Sequence, residues 1–124
     1  MAASTERIRA VVEEYVRLVG SGTADEVLAL YADGASVEDP VGSDVLTERD
    51  QIHAFYSGLE GLDRQTRLLA ARIAGGEAAF HFEVVTPADG ATYTLSPVDV
   101  MTFDDDGRIT SMRAYWSGDD MVVG

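Results

Sequence analysis

Three residues have side chains at odds with their surroundings: Tyr15, Asp39 and Asp99. Asp99 is the clearest case, in the stretch "SPVDVMTF" at 96–103, among Val98, Val100, Met101 and Phe103. No Lys or Arg stands within eight residues of it on either side. An ionised carboxylate is almost never fully buried unless paired. Two readings stay open: an edge-strand carboxylate facing water, or a buried carboxyl that desolvation keeps protonated near pH 7. Leu95, Pro97, Met101 and Phe103 share the parity of Asp99, while Val98 and Val100 take the other, so neither choice of core face gives it a polar surround. Asp39 precedes Pro40 at a loop edge; alone it reads as a turn starter, in company as an ionised base. Tyr15 lies on the apolar face of a helix, alone a core aromatic with its hydroxyl at the rim, in company a second neutral donor. One base and two neutral donors suit abstraction of a proton next to a carbonyl, the donors holding the enolate oxygen. Tyr31 and Tyr56 form a further tyrosine pair of unusual placement.

The elements that must position these groups are legible in outline. Ile8, Val11, Val12, Tyr15, Leu18 and Val19 recur at helical spacing over about Thr5 to Val19. "TADE" is a capping box, with Thr23 as N-cap and Glu26 at N3, and predicts a helix through Val27, Leu28 and Leu30 to Tyr31, stopped at Gly34. "ASVED" reads as a short strand ending at Asp39. Thr47 is placed to cap a third helix carrying Ile52, Phe55, Tyr56 and Leu59. The second half changes period: "RQTRLLAARIAG", "EAAFHFEVVTP", "ATYTLSPVDVMTF" and "RITSMRAYWS" are strand-like, separated by "GG", "DG" and "DDDG" turn signals. Short connections imply antiparallel pairing, and three helices before a meander imply an α+β domain with helices over one face of a curved sheet and a pocket between the layers. Pro97 is placed to bend the sheet.

Composition narrows the chemistry. The 124 residues suffice for one domain, 1–124, and 46% hydrophobic with 25% charged residues is ordinary globular usage. No apolar run is long enough to span a bilayer, and the N-terminus shows no signal-peptide pattern, so a cytoplasmic location is expected. A net charge of −13 repels phosphate backbones, so nucleic acid is not an expected partner. There is no Cys, so there is no disulfide, thiolate site or Cys nucleophile; all nine basic residues are Arg, which leaves no Lys for Schiff-base chemistry. Two histidines, His53 and His81, make a metal site of several imidazoles improbable.

The motifs resemble those of the steroid Δ-isomerases, or ketosteroid isomerases, of the NTF2-like superfamily. "EEYVRLV" is similar to their first-helix motif, "LYADGASVEDPVGS" to the motif of the catalytic base, and "SPVDVMTFDDDGRITSMRAYWS" to the strand pair with the oxyanion Asp. A carboxylic acid kept neutral by an apolar site is a known property of that family. The resemblance implies a strongly curved mixed or antiparallel sheet forming a conical barrel with an apolar pocket. It implies Asp39 as base, Tyr15 and protonated Asp99 as oxyanion donors, and Tyr31 and Tyr56 as a hydrogen-bonded network behind Tyr15. It makes Phe55, Phe82, Val84, Met101 and Trp116 substrate contacts. It implies a small apolar steroid substrate, no cofactor or metal because the carbonyl is the electron sink, and a homodimer through the sheet face. The sequence departs from the family pattern at Leu59 to Gly76 and in the C-terminal "SGDDMVVG".

Competing readings are another NTF2-like acid–base enzyme, such as a polyketide cyclase or dehydratase, and a non-catalytic steroid- or lipid-binding domain. Limonene-epoxide-hydrolase-like chemistry would want an Asp–Arg–Asp cluster, and no Arg is read as pocket-facing. A His–Asp dehydratase would want an inward histidine, whereas His81 alternates with Phe80 and Phe82 and so faces away from them.

Overall fold

The computed structural model describes residues 2–124. Helix α1 (Thr5–Ser21) starts at Ser4, whose hydroxyl accepts from the Arg7 amide at 3.1 Å, and buries Ile8, Val11, Val12, Tyr15, Val16, Leu18 and Val19. That is the apolar stripe read from the spacing, extended by one position. Helix α2 (Ala24–Leu28) carries the Thr23/Glu26 capping box as expected, but spans five residues only. Tyr31 instead begins strand β1 (Tyr31–Glu38), in which Gly34 at φ +77° sits inside a register shift rather than stopping a helix. Tertiary pairing overrides the local pattern here: the Ile109 amide donates to the Leu30 carbonyl, and Tyr31 opposes Ile109 across the sheet. Helix α3 (Arg49–Glu60) starts one residue later than expected, from Glu48, because the Gln51 side chain accepts from both the Thr47 and Glu48 amides.

Strands β2 (Gln65–Ala74), β3 (Glu77–Ala88), β4 (Ala91–Leu95), β5 (Val98–Phe103), β6 (Ile109–Tyr115) and β7 (Val122–Val123) complete one seven-stranded sheet. The Gly75–Gly76 and Asp89–Gly90 pairs all take positive φ, which joins β2 to β3 and β3 to β4 by tight hairpins. The expected single strand "ATYTLSPVDVMTF" is two strands, broken at Ser96–Pro97, where Pro97 has no amide to give the ladder. The break lets β3 pair with β5 along its first half and with β4 along its second. Pairing is antiparallel except between β1 and β6.

The sheet is mixed and open. Strand β1 pairs along its length only with β6, and β2 only with β3, so the two edges never meet and the sheet of the expected α+β fold stays open. Helices α1 and α3 close the space that the sheet leaves open, α1 packing on β2 and β3. The core lies between these layers and includes Ile8, Val12, Ile52, Phe80, Met101, Ile109 and Met112, each 2% exposed or less. Among the described residues no helix is long and apolar enough to cross a membrane. Met101 lies between Ala78 and Met112 in adjacent strands, all three buried. Replacing it with Ala should lower unfolding free energy by about 2–5 kcal/mol, measured by urea denaturation.

Candidate active site

The parallel pairing of β1 and β6 brings the C-terminal ends of both strands to one end of the sheet. Glu38 opposes Arg113, and their side chains meet at 3.0 Å. Asp39 follows on one strand and Trp116 closes the other, and the Trp116 indole N–H donates to Asp39 Oδ1 at 2.6 Å. The Asp39–Pro40 turn is tied down by the Val41 amide to Ala114 O at 2.8 Å and the Gly42 amide to Glu38 Oε2 at 2.8 Å. Burial raises the Asp39 pKa above the usual Asp range, and the indole hydrogen bond offsets part of that rise.

Asp99 stands in mid-sheet, opposite Phe80 on one side and Ala114 on the other. Antiparallel partners share a face, so its carboxyl projects with two buried apolar neighbours and is itself 1% exposed. This decides between the two readings of Asp99: it is buried. Its Oδ1 has no hydrogen-bond partner among the described residues. Burial drives its pKa well above the usual Asp range, and the nearby Asp39 charge adds to the rise. Its surroundings therefore favour the neutral form of Asp99 more strongly than that of Asp39.

Tyr15, 2% exposed, meets Phe80, Phe82 and Tyr56 edge-on at ring centroid separations of 6.0, 6.4 and 6.2 Å. Its hydroxyl pairs with that of Tyr56 at 2.9 Å, and Tyr56 pairs with Tyr31 at 2.6 Å. Helices α1 and α3 and strand β1 are thus joined by three phenols. Desolvation holds all three well above the usual Tyr pKa, so the network carries protons, not charge.

Tyr15, Asp39, Tyr56, Asp99, Phe55, Phe82, Val84 and Trp116 all line one cavity of about 380 Å³. That volume falls in the range of small-molecule sites. Tyr31 lies behind Tyr56 and off the lining, where a supporting residue belongs. Met101 is also off the lining. It sits two residues beyond Asp99 on β5, deeper in the core, and so packs under the site without reaching its interior.

The floor and rim differ. Tyr15, Tyr56, Phe82 and Asp99 are at most 4% exposed, whereas Leu62 and Met121 on the same lining are 50% and 37% exposed. Val19, Leu59, Leu62, Arg64, Thr86, Tyr93 and Met121 were not read from the sequence as cavity residues. The signal for some was periodicity: Val19 is one helical turn after Tyr15, Leu59 one after Phe55, and Thr86 shares the parity of Phe82 and Val84. Arg64 and Met121 follow no such rule.

Arg64 corrects the expectation that no Arg faces the pocket. Its guanidinium donates to the Val19, Leu59 and Leu62 carbonyls, at the ends of α1 and α3. Among the described residues its charge neighbour is Glu60, and no cation acts on Asp39 or Asp99. An Asp–Arg–Asp cluster is therefore not assembled. Neither histidine lines the cavity: His81 bonds Ser96 O on the other face of β3, and His53 pairs with Asp25 at 2.8 Å. Among the described residues no group of three or more His, Cys, Asp or Glu is placed to hold a metal ion.

Comparison with known proteins agrees with this architecture. The SnoaL-like domain model matches residues 12–112, and the chain belongs to that family. It is 48% identical over 116 residues to the steroid Δ-isomerase of Nocardioides simplex, covering 94% of each chain. It is 27% identical to the epoxide hydrolase LasB of Streptomyces lasalocidi, over 98% of this chain and 51% of that protein. Among solved structures it superposes on the epoxide hydrolase/cyclase-like enzyme SalBIII, which has a role in pyran ring formation in the polyether salinomycin. The TM-score is 0.88 at 24% identity, covering 96% of this chain and 97% of the other, and bears on the fold alone.

A buried acid of raised pKa contributes stability that is complete below its unfolded pKa and is lost as pH rises toward the folded value. Asp99→Asn removes that loss. In urea titrations, the stability of Asp99→Asn relative to the native protein should therefore increase as pH rises from about 4, the ordinary Asp range, toward the raised folded pKa of Asp99. A pH-independent difference would show that Asp99 is ionised in the folded state.

Proposed function

We propose that this chain is a steroid Δ-isomerase acting as one domain, converting Δ5-3-oxosteroids to the conjugated Δ4 isomers. The observation that carries the reading is Asp99: a buried carboxyl of raised pKa on the cavity wall whose Oδ1 has no partner among the described residues. A buried polar atom without a partner is costly. A substrate oxygen that receives a hydrogen bond from this carboxyl explains why the site keeps it. The 48% identity to the Nocardioides enzyme supports the same conclusion.

The steps follow from the groups present. Asp39, ionised, takes a proton from C4, with Trp116 holding one of its oxygens so that the other meets the substrate. The electrons move onto the carbonyl oxygen, giving a dienolate. Tyr15 and Asp99 donate hydrogen bonds to that oxygen as its charge grows, in a site from which apolar walls exclude water. Tyr56 and Tyr31 fix the Tyr15 hydroxyl and spread the developing charge along the phenol chain. Asp39 then delivers the proton to C6. Phe55, Phe82, Val84 and Trp116 pack the flat rings. The carbonyl is the electron sink, and no step calls on a cofactor.

A non-catalytic binding domain has no use for a base beside two neutral donors, and the epoxide hydrolase reading lacks an Arg between the acids. We further propose a cytoplasmic homodimer through the outer sheet face, where Val98 and Tyr115 are cross-strand partners 39% and 44% exposed. Sedimentation should give twice the monomer mass.

Incubation with a Δ5-3-oxosteroid should raise enone absorbance above the buffer rate; no rise refutes the isomerase. Asp39→Asn should lower kcat by about 10²–10⁴, and Tyr15→Phe by about 10²–10³, with product-analogue binding retained. The kcat/KM profile should rise as Asp39 loses its proton, above the usual Asp range, and fall only where Asp99 ionises. A rate that falls already at neutral pH contradicts the donor role of Asp99.

A further inference from the structure

The cavity is built in two halves of different origin. Along β3 the lining runs Phe82, Val84, Thr86, a span of about 13 Å. It begins opposite Tyr15 and the buried acid and ends at the exposed rim. Phe82 pairs with Leu68 and sits deep, whereas Thr86 pairs with Tyr93 of β4, near the last residues of the chain. The rim residues Leu59, Leu62, Arg64 and Met121 come from the end of α3, the segment after it and the C-terminal segment. The floor residues Tyr15, Tyr56, Phe82 and Asp99 come from α1, α3, β3 and β5.

Met121 is delivered by a firmly held backbone. Its amide donates to Gly118 O at 3.2 Å, and the preceding turn is closed by the Ser117 amide to Asp120 Oδ2 at 2.8 Å. Immediately after it, Val122 and Val123 pair with Thr94 and Tyr93, and Gly124 exchanges hydrogen bonds with Thr92 at 2.8 and 2.9 Å. The C-terminal segment therefore adds a strand to the β4 edge, and its one side chain on the cavity is the thioether of Met121. The backbone is pinned on both sides, so the space taken from the mouth at this point is set by the Met121 side chain. Arg64 ties the helical wall by joining Val19 O on α1 to Leu59 O and Leu62 O at the end of α3. The mouth is thus framed by two fixed walls, with one flexible apolar group on the C-terminal side.

We propose that Met121 is the specificity-determining residue for the end of the substrate remote from the reacting carbonyl: it admits a compact ring terminus and excludes a long alkyl side chain. This rests on the isomerase reading for the orientation of the substrate, the carbonyl lying at the floor. The role is separable from the chemistry, because Met121 touches none of Tyr15, Asp39 or Asp99 in any hydrogen bond.

The test uses the full-length protein with two Δ5-3-oxosteroids, one without a substituent on the terminal ring and one carrying a branched eight-carbon chain there. Two readouts are followed: enone formation, and quenching of Trp116, the sole tryptophan of the chain and part of the cavity lining. Met121→Ala should raise KM for the compact substrate and lower it for the long one, shifting the preference ratio about tenfold with kcat nearly unchanged. Met121→Leu should keep the native ratio, and Met121→Trp should exclude the long substrate further. An unchanged ratio in Met121→Ala overturns the proposal, whether both KM values rise together or neither moves. If neither steroid turns over, the isomerase reading fails, and quenching by the two conjugated products still decides the role of Met121: a tenfold shift in their relative affinities upholds it, an unchanged ratio overturns it.

Discussion

A carboxyl group with no counter-charge, held between Phe80 and Ala114 in mid-sheet, sets the terms for everything around it. Desolvation costs far more for the ionised form than for the acid, so burial raises the Asp99 pKa and favours its neutral form. That outcome needs a dry wall, and the wall is the sheet register itself: β3, β5 and β6 must align so that three buried side chains share one face. A slip of one residue would turn Asp99 to the outer face beside Tyr115 and expose it to water. The absence of any nearby Lys or Arg belongs to the same constraint, since a cation would draw the proton off.

The second carboxyl is controlled from the other end of the sheet. Parallel pairing of β1 and β6 is the one exception to an otherwise antiparallel sheet, and it makes Asp39 and Trp116 neighbours 77 residues apart in sequence. One hydrogen bond from the indole lowers a pKa that burial raises, so Asp39 remains the stronger acid of the two. Two like side chains thereby have their pKa values raised to different extents by different surroundings, one on an apolar strand and one at a turn.

The phenol chain Tyr15–Tyr56–Tyr31 ties the helical layer to the sheet. Each hydroxyl would be a costly buried group alone; joined, they satisfy one another and hold Tyr15 at the cavity. The openness of the sheet matters equally. A closed barrel would have to hold its interior within strands alone, whereas here α1 and α3 form part of the wall, and the C-terminal strand finishes the mouth. The floor and the rim are consequently supplied by different parts of the chain.

The sequence alone carried whatever depends on neighbours a few residues apart. The stripe of α1, the Thr23/Glu26 capping box, the paired glycines of the β2–β3 turn and the Asp89–Gly90 turn are local in physics and legible in order. That Tyr15, Asp39 and Asp99 belong together on one cavity was legible too, because polar groups on apolar faces stand out against a pattern. Tyr31 misled, since its apolar spacing continues that of α2, while its backbone is claimed by Ile109 far along the chain. The facing of Asp99 lay beyond the sequence because its strand is apolar at both parities, and only pairing with Phe80 and Ala114 selects one. Met101 and Arg64 were misplaced for the same reason: cavity lining depends on depth and on which chain ends converge. Residue types determined which chemistry was available; long-range register decided which groups meet, because strand pairing is set by partners that no local window contains.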